Sequence, residues 1–255
     1  MHEKAVIIIP ARMASTRFPR KPLVNICGKT MIERVWRIGK AVGDVVIATD
    51  DLELKAFAES FGAKVIMTSP DCLTGTDRVA ESSRLLGLKN EIVFSLQGDA
   101  VLTPPWVISD VLKEMIADPS IQVATPAVLL TGKARADFVA SKKAGSTSGT
   151  SVVFNKKKDA LYFSKALIPY CREEANLYRH IGLYAYRADT LQKLSKLPEG
   201  ILEKAEKLEQ LRALENGIPI RVVTVDYHGR THGSVDRPED VAVVEAIIAR
   251  EGELV

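Results

Sequence analysis

The sequence predicts an α/β fold: a doubly wound, mainly parallel sheet that carries a smaller antiparallel lobe. Three observations lead there. Short runs rich in Val and Ile, such as Val6–Ile9 and Ile92–Leu96, alternate with segments of helical hydrophobic spacing. The connections are short, which in a strand–helix alternation implies parallel strands joined by right-handed crossovers. The first run ends in IIPARMASTRFPRKPL, where Arg12, Arg17, Arg20 and Lys21 crowd the loop. Open α/β sheets place ligands at the carboxyl ends of their strands.

The elements follow in order. A helix is expected over Lys29–Val42, a strand over Val45–Ala48, and a helix over Leu52–Phe61 stopped by Gly62. A strand over Lys64–Met67 precedes a helix over Asp77–Leu86, with Thr76 as its N-cap. Ile92–Leu96 is the next strand, leading into Gln97-Gly98-Asp99, and Trp106–Ile116 is a helix opened by Pro104 and Pro105. From Ile121 to about Arg187 the strands read as antiparallel. Val152–Phe154 and Ala160–Phe163 flank NKKKD, whose lysines form a solvated hairpin tip. Ser141–Ser151 is a Gly/Ser/Thr-rich loop. A helix over Leu202–Leu214, a strand over Ile220–Val225 and a helix over Pro238–Ala249 close the chain. We expect one domain over 1–255, its core about 1–120 and 218–255, its lobe about 121–217.

Bulk properties narrow the function classes. The chain has 255 residues, 46% hydrophobic and 26% charged, with a net charge of +3. That charge is too small for nucleic-acid binding by bulk electrostatics, so any positive field is local. No run approaches a membrane span, and no secretory leader is expected, since the sequence as given lacks a basic and apolar segment before the first strand. Cys27, Cys72 and Cys171 lack metal or disulfide spacing, which fits a reducing, cytoplasmic setting. The tryptophans and cysteines are assigned to packing.

Two constellations carry chemistry. The basic loop, with Ala14, Ser15 and Thr16 allowing close backbone approach, suits a polyanion such as a triphosphate; the plainer reading is a solvated basic turn. Neither GxGxxG nor GxxxxGK[ST] occurs, which argues against a nicotinamide dehydrogenase and a P-loop ATPase. Asp99 follows a buried strand, where a carboxylate can hold Mg²⁺ against substrate phosphates, and Asp236 in GSVDRPED is its expected partner. Either aspartate could instead be a turn or cap residue.

IIPARMASTRFPRKPL, SPDCLTGTDR, LQGD, ALYFSK, RHIGLYAYR, EKLEQLRALENG and VDRPEDV together resemble the 3-deoxy-manno-octulosonate cytidylyltransferases, over nearly the whole chain and in the right order. The resemblance implies a Rossmann-like nucleotidyltransferase sheet and transfer of CMP from CTP to an acidic eight-carbon sugar, Kdo. Pyrophosphate is released, Mg²⁺ is required, and the product serves lipopolysaccharide or capsule synthesis. It implies that Arg12 and Lys21 grip the triphosphate beside Ser15 and Arg17. Gly75, Thr76, Asp77 and Arg78 then line the cytidine pocket, which Gln97 also reaches. Asp99 and Asp236 would be the metal carboxylates. Lys165, His180, Tyr184, Glu209 and Gln210 would face the sugar. The family's homodimers are joined largely through the smaller lobe.

Four departures fall mainly on the acceptor side. Arg20 stands where the family has glycine, so a differently shaped loop is expected. Ala100 and Val101 follow Asp99 in place of an acid or amide and a proline. GSTSGTSVV replaces the usual segment before the hairpin, removing a lysine. Lys165 replaces an arginine, losing a bidentate grip on carboxylate. Two alternatives follow: an 8-amino-Kdo or other small acidic acceptor, and an inactive CTP-binding regulatory module.

Overall fold

A computed structural model of the chain describes residues 5–14 and 18–255. The strands and helices run in chain order as follows. β1 (Ala5–Pro10) is followed by a short ribbon of β2 (Asn25–Ile26) and β3 (Lys29–Thr30), then α1 (Met31–Lys40). Next come β4 (Asp44–Thr49), α2 (Leu52–Ser60), β5 (Lys64–Met67), α3 (Gly75–Leu85), β6 (Ile92–Ser95) and α4 (Pro105–Ala117). The second half holds β7 (Val123–Leu130), α5 (Gly132–Lys143), β8 (Thr150–Phe154), β9 (Ala160–Ser164), β10 (Leu177–His180) and β11 (Tyr184–Arg187). It closes with α6 (Ala188–Leu194), α7 (Ile201–Glu206), α8 (Leu211–Glu215), β12 (Ile220–Thr224) and α9 (Pro238–Glu251).

The sheet order is β5-β4-β1-β6-β11-β7-β10-β8-β9, with β12 on β7. β5, β4, β1 and β6 are parallel, and β11 pairs antiparallel with Ser95–Ile92 of β6. The antiparallel strands therefore extend the parallel sheet by hydrogen bonds and form no separate layer. Side-chain alternation puts Ile7 and Ile9 in one core, with Met31, Phe94 and Val107, and Val6 and Ile8 in the other, with Val79 and Leu191. Both faces of β1 are covered, which is why its sequence is an unbroken apolar run.

The chain moves from β1 outward to β4 and β5, then crosses back to β6 on the other side. This reversal leaves a crevice between the carboxyl ends of β1 and β6, where the flanking connections diverge. A second opening arises farther along. β10 and β11 both run antiparallel to β7, but His180 faces Ala127 while Ala185 faces Ala124. Five residues advance on one strand against three on the other, so Ile181-Gly182-Leu183 bulges out. Before the bulge the strand pairs with β8, and after it with β6.

Several expected elements are corrected. The N-cap of α3 is Thr74, not Thr76: the Thr74 hydroxyl accepts the Asp77 amide, and the Asp77 carboxylate accepts the Thr74 amide. The Ser141–Ser151 loop shrinks to 144–149, because α5 runs to Lys143 and β8 starts at Thr150. The helix expected over Leu202–Leu214 is two helices, broken where Lys207 adopts φ 54°. The break lets the helices fold back on each other. Glu215 then accepts the Leu202 amide at 3.1 Å, and Arg212 grips Glu203 at 2.8 and 2.6 Å. A continuous helix could not make those contacts.

Candidate active site

The crevice between β1 and β6 holds a cavity of about 310 Å³, lined by Arg12, Lys21, Gly75, Arg78, Gln97 and Asp99 among others. Its walls approach closely at Gly98, where a Cβ would sit 3.0 Å from the Pro10 carbonyl oxygen. A larger residue there would push the two strand ends apart. Arg78 lies in the first turn of α3, against the helix dipole, and the structure gives the reason. Its guanidinium pairs with Asp50 at 3.1 Å and donates to the Thr68 hydroxyl, at the carboxyl ends of β4 and β5. Arg78 is thus a rigid, buried cationic wall. Cys72 also faces the cavity; burial, then its bond to Glu81, pushes its thiol up to about 12, so it stays a neutral thiol.

Lys21 opens a 3₁₀ turn, Lys21–Leu23, preceded by Arg20. Arg20 adopts φ 58°, in the left-handed region that glycine favours. A two-pronged ion pair to Glu53 at the start of α2 holds Arg20 there. The turn delivers the Lys21 ammonium to 2.7 Å from the Asp99 carboxylate and 3.6 Å from that of Asp236. Asp236 is poised by the α9 cap, since the Asp240 carboxylate accepts the Asp236 and Arg237 amides, each at 2.8 Å. Ala100 and Val101, buried in the core, turn away from this cluster.

The ammonium between two carboxylates shows what the donor set prefers: a cation. Among the described residues no group of three or more His, Cys, Asp and Glu side chains is arranged to hold a metal. Mg²⁺ needs only one or two protein carboxylates when substrate phosphates and water complete its shell, so the Asp99–Asp236 pair fits that ion.

Asp236 also borders a second cavity of about 400 Å³, lined by Lys165, His180, Tyr184, Glu209 and Gln210. The bulge opens this cavity, and the pairing of Tyr184 with Ser95 sets it beside the end of β6. Thr125 fixes the bulge. Its hydroxyl lies 2.8 Å from His180 Nε2 and 2.7 Å from the Leu183 carbonyl oxygen. Burial, with Lys165 and His232 adding to it, lowers His180 to about 3, so its ring is neutral at pH 7. Burial raises the Glu209 carboxyl, against a hydrogen bond from Thr76.

A family model described as cytidylyltransferase matches residues 6–222. A 3-deoxy-manno-octulosonate cytidylyltransferase from Maricaulis maris is 54% identical over 254 residues, spanning 97% of this chain and 98% of the relative. The chain belongs to that cytidylyltransferase family. An 8-amino-3,8-dideoxy-manno-octulosonate cytidylyltransferase from Shewanella putrefaciens is 39% identical over 251 residues, covering 96% of this chain and 98% of its own. A solved structure of CMP:2-keto-3-deoxy-manno-octonic acid synthetase complexed with CTP superimposes with a TM-score of 0.86 at 39% identity, covering 97% and 99% of the two chains. The protein is a nucleotidyltransferase.

The residues singled out in this cytidylyltransferase sequence distribute as follows. Arg12, Lys21, Gly75, Arg78, Gln97 and Asp99 share the first cavity. Lys165, His180, Tyr184, Glu209, Gln210 and Asp236 share the second. Ser15 and Arg17 lie outside the described residues. Thr76 and Asp77 do not line the first cavity: Asp77 serves the helix cap, and Thr76 bonds Glu209 and Tyr186. Four residues were not anticipated. Arg179 and His232 line the second cavity, Lys142 holds its rim, and Thr125 supports its floor. A signal existed for two of them, since Arg179 adjoins His180 and His232 shares a loop with Asp236.

Proposed function

We propose that the protein moves the cytidylyl group of CTP onto the anomeric hydroxyl of 3-deoxy-manno-octulosonate, releasing pyrophosphate. One observation carries the reading: two cavities, one flanked by Arg12 and Arg78 and the other by Lys165, meet at Lys21, Asp99 and Asp236. CTP lies in the first, its triphosphate against Arg12 and Lys21. The acceptor lies in the second, its hydroxyl facing the α-phosphate for in-line attack. That phosphorus is shielded by its own oxygens, so the protein chiefly positions the reactants and neutralises charge. Arg12 and Lys21 offset the charge that builds on the departing pyrophosphate. Mg²⁺, when bound at Asp99 and Asp236, supplies Lewis-acid neutralisation of phosphate oxygens and lowers the pKa of a coordinated hydroxyl.

Wider context belongs to the same reading. The product is a precursor for lipopolysaccharide or capsule in the cytoplasm; the unpaired cysteines agree with a reducing compartment. A homodimer is supported by the edge strand β9 and by Leu161, Ile201 and Tyr170, which are 62%, 81% and 88% exposed. Among the described residues no helix is long and apolar enough to cross a membrane.

Incubation with CTP, Mg²⁺ and a panel of acidic sugars tests the proposal. Pyrophosphate release that depends on 3-deoxy-manno-octulosonate is expected. CTP binding without turnover on any acceptor would leave a regulatory module instead. The 8-amino sugar belongs in the panel, because Glu209 is a carboxylate in the acceptor cavity that an amine could meet.

A further inference from the structure

We propose that Arg179, backed by His232, grips the carboxylate of the acceptor, so that acidity is read by this pair and not by Lys165 alone. The inference rests on the proposed function and assigns a specificity-determining role within it.

The first support is a set of orphaned atoms. Arg179 Nε, His232 Nδ1 and Gln210 Nε2 are buried without a hydrogen-bond partner, and all three residues line the acceptor cavity. Buried polar atoms in folded proteins are almost always paired, so orphans gathered on one cavity mark a missing partner. Arg179 and the Gln210 amide nitrogen can only donate, and neutral His232 donates from Nδ1 in one tautomer. The three residues that carry them border the cavity, so its wall is rich in donors and suits an acceptor-only group such as a carboxylate.

The second support is local construction around Arg179. Gly149 lies directly over it with φ +72°. A Cβ there would fall 2.9 Å from the Phe138 ring and 3.5 Å from Arg179 Nε. Lys142 clamps this loop, donating to the carbonyls of Gly149 at 2.8 Å and Lys165 at 2.6 Å. The guanidinium is therefore held by packing, with one edge under the loop and the residue bordering the cavity.

The third support is charge. Among the described residues no carboxylate forms an ion pair with Arg179. The nearby Glu206 carboxylate already accepts from the Ser164 hydroxyl at 2.7 Å and the Lys165 amide at 2.8 Å. Burial, then repulsion from Lys165 and Arg179, lowers Lys142, and burial followed by Arg179 lowers His232 to about 3. Among the described residues Arg179 thus has no anionic partner, and an anion in the cavity would supply one. Lys165 is poorly placed to be the sole grip. Its ammonium reaches the Thr150 hydroxyl at 3.3 Å, and a point charge does not form the planar fork a guanidinium offers.

The test compares CTP-dependent transfer to 3-deoxy-manno-octulosonate and to its C1 carboxamide. In the wild type the acid should be strongly preferred. Arg179→Gln should raise the KM for the acid roughly 10- to 100-fold, leave the KM for CTP unchanged, and bring acid and amide within a few-fold. Arg179→Lys should recover part of the preference, and His232→Gln should reduce it several-fold. An Arg179→Gln enzyme that keeps the wild-type ratio of acid to amide, whatever its absolute rate, overturns the assignment. Should that variant fail to fold, an unchanged ratio in His232→Gln does the same. Wild-type enzyme that turns over neither acceptor sinks the proposed function itself, a separate outcome.

Discussion

Lys21 and Asp99 meet at 2.7 Å across 78 residues of sequence, bringing the cationic tip after β1 onto the carboxylate after β6. The same ammonium lies 3.6 Å from Asp236. On the proposed function, CTP would draw Lys21 to its phosphates and leave the two carboxylates free for a cation. One ammonium against two carboxylates leaves the cluster with a net negative charge, which suits a further cation.

Asp99→Asn should therefore lower kcat on the order of a hundredfold or more, as for other preorganised charge stabilisers, with the fold intact. Lys21→Met should do likewise. Steady-state pyrophosphate release, with circular dichroism as the control for folding, decides the matter. Unchanged turnover in Asp99→Asn would remove that carboxylate from the chemistry.

Arg20 occupies a left-handed conformation that side chains adopt at a cost, and its compensation is the pair with Glu53. Arg20→Ala loses the pair and keeps the strain; Arg20→Gly loses both. The glycine variant should melt a few degrees above the alanine variant, and Glu53→Gln should raise the KM for CTP by loosening the turn. Equal melting temperatures for the two Arg20 variants would contradict the strain argument.

Thr125 carries the bulge on one hydroxyl shared by His180 and the Leu183 carbonyl. Thr125→Val preserves shape but leaves buried polar groups unmet, costing about 1–3 kcal/mol. Urea denaturation should show that loss, and the KM for the acceptor should rise more than the KM for CTP. A variant as stable as the wild type would show that the bulge holds itself.

His180 and His232 are both lowered to about 3, by burial first, from an ordinary value near 6.5. Their folded pKa lies below the unfolded one. Each thus contributes stability that is present above about pH 6.5 and is lost as pH falls toward about 3. The slope is about 1.4 kcal/mol per pH unit for each ring that must charge on unfolding. Urea midpoints measured from pH 7 to pH 4 should fall, and His232→Gln should flatten the curve. A pH-independent midpoint would mean that neither ring is buried neutral.

Much of the parallel half was legible because its signals are local. Unbroken apolar runs such as Val6–Ile9 mark strands covered on both faces, and Gly62, at φ +85°, marks a helix end. Misreadings arose where a specific side-chain contact outweighs the general preference. Thr74 displaced Thr76 as cap because the reciprocal Asp77 bond favours it. The break at Lys207 depends on Glu215 and Arg212 folding back onto α7.

By itself the sequence determined the alternation of strands and helices, the cationic loop after the first strand, and the carboxylate after β6. Those follow from hydrophobic periodicity and chain order, which act over a few residues. Only the tertiary structure decided that Lys21 lies between Asp99 and Asp236, and that a two-residue slip along β7 opens the cavity bordered by Arg179. Such relationships depend on strand pairing and on burial. Both are set by which distant segments share a sheet, and a linear pattern does not record that.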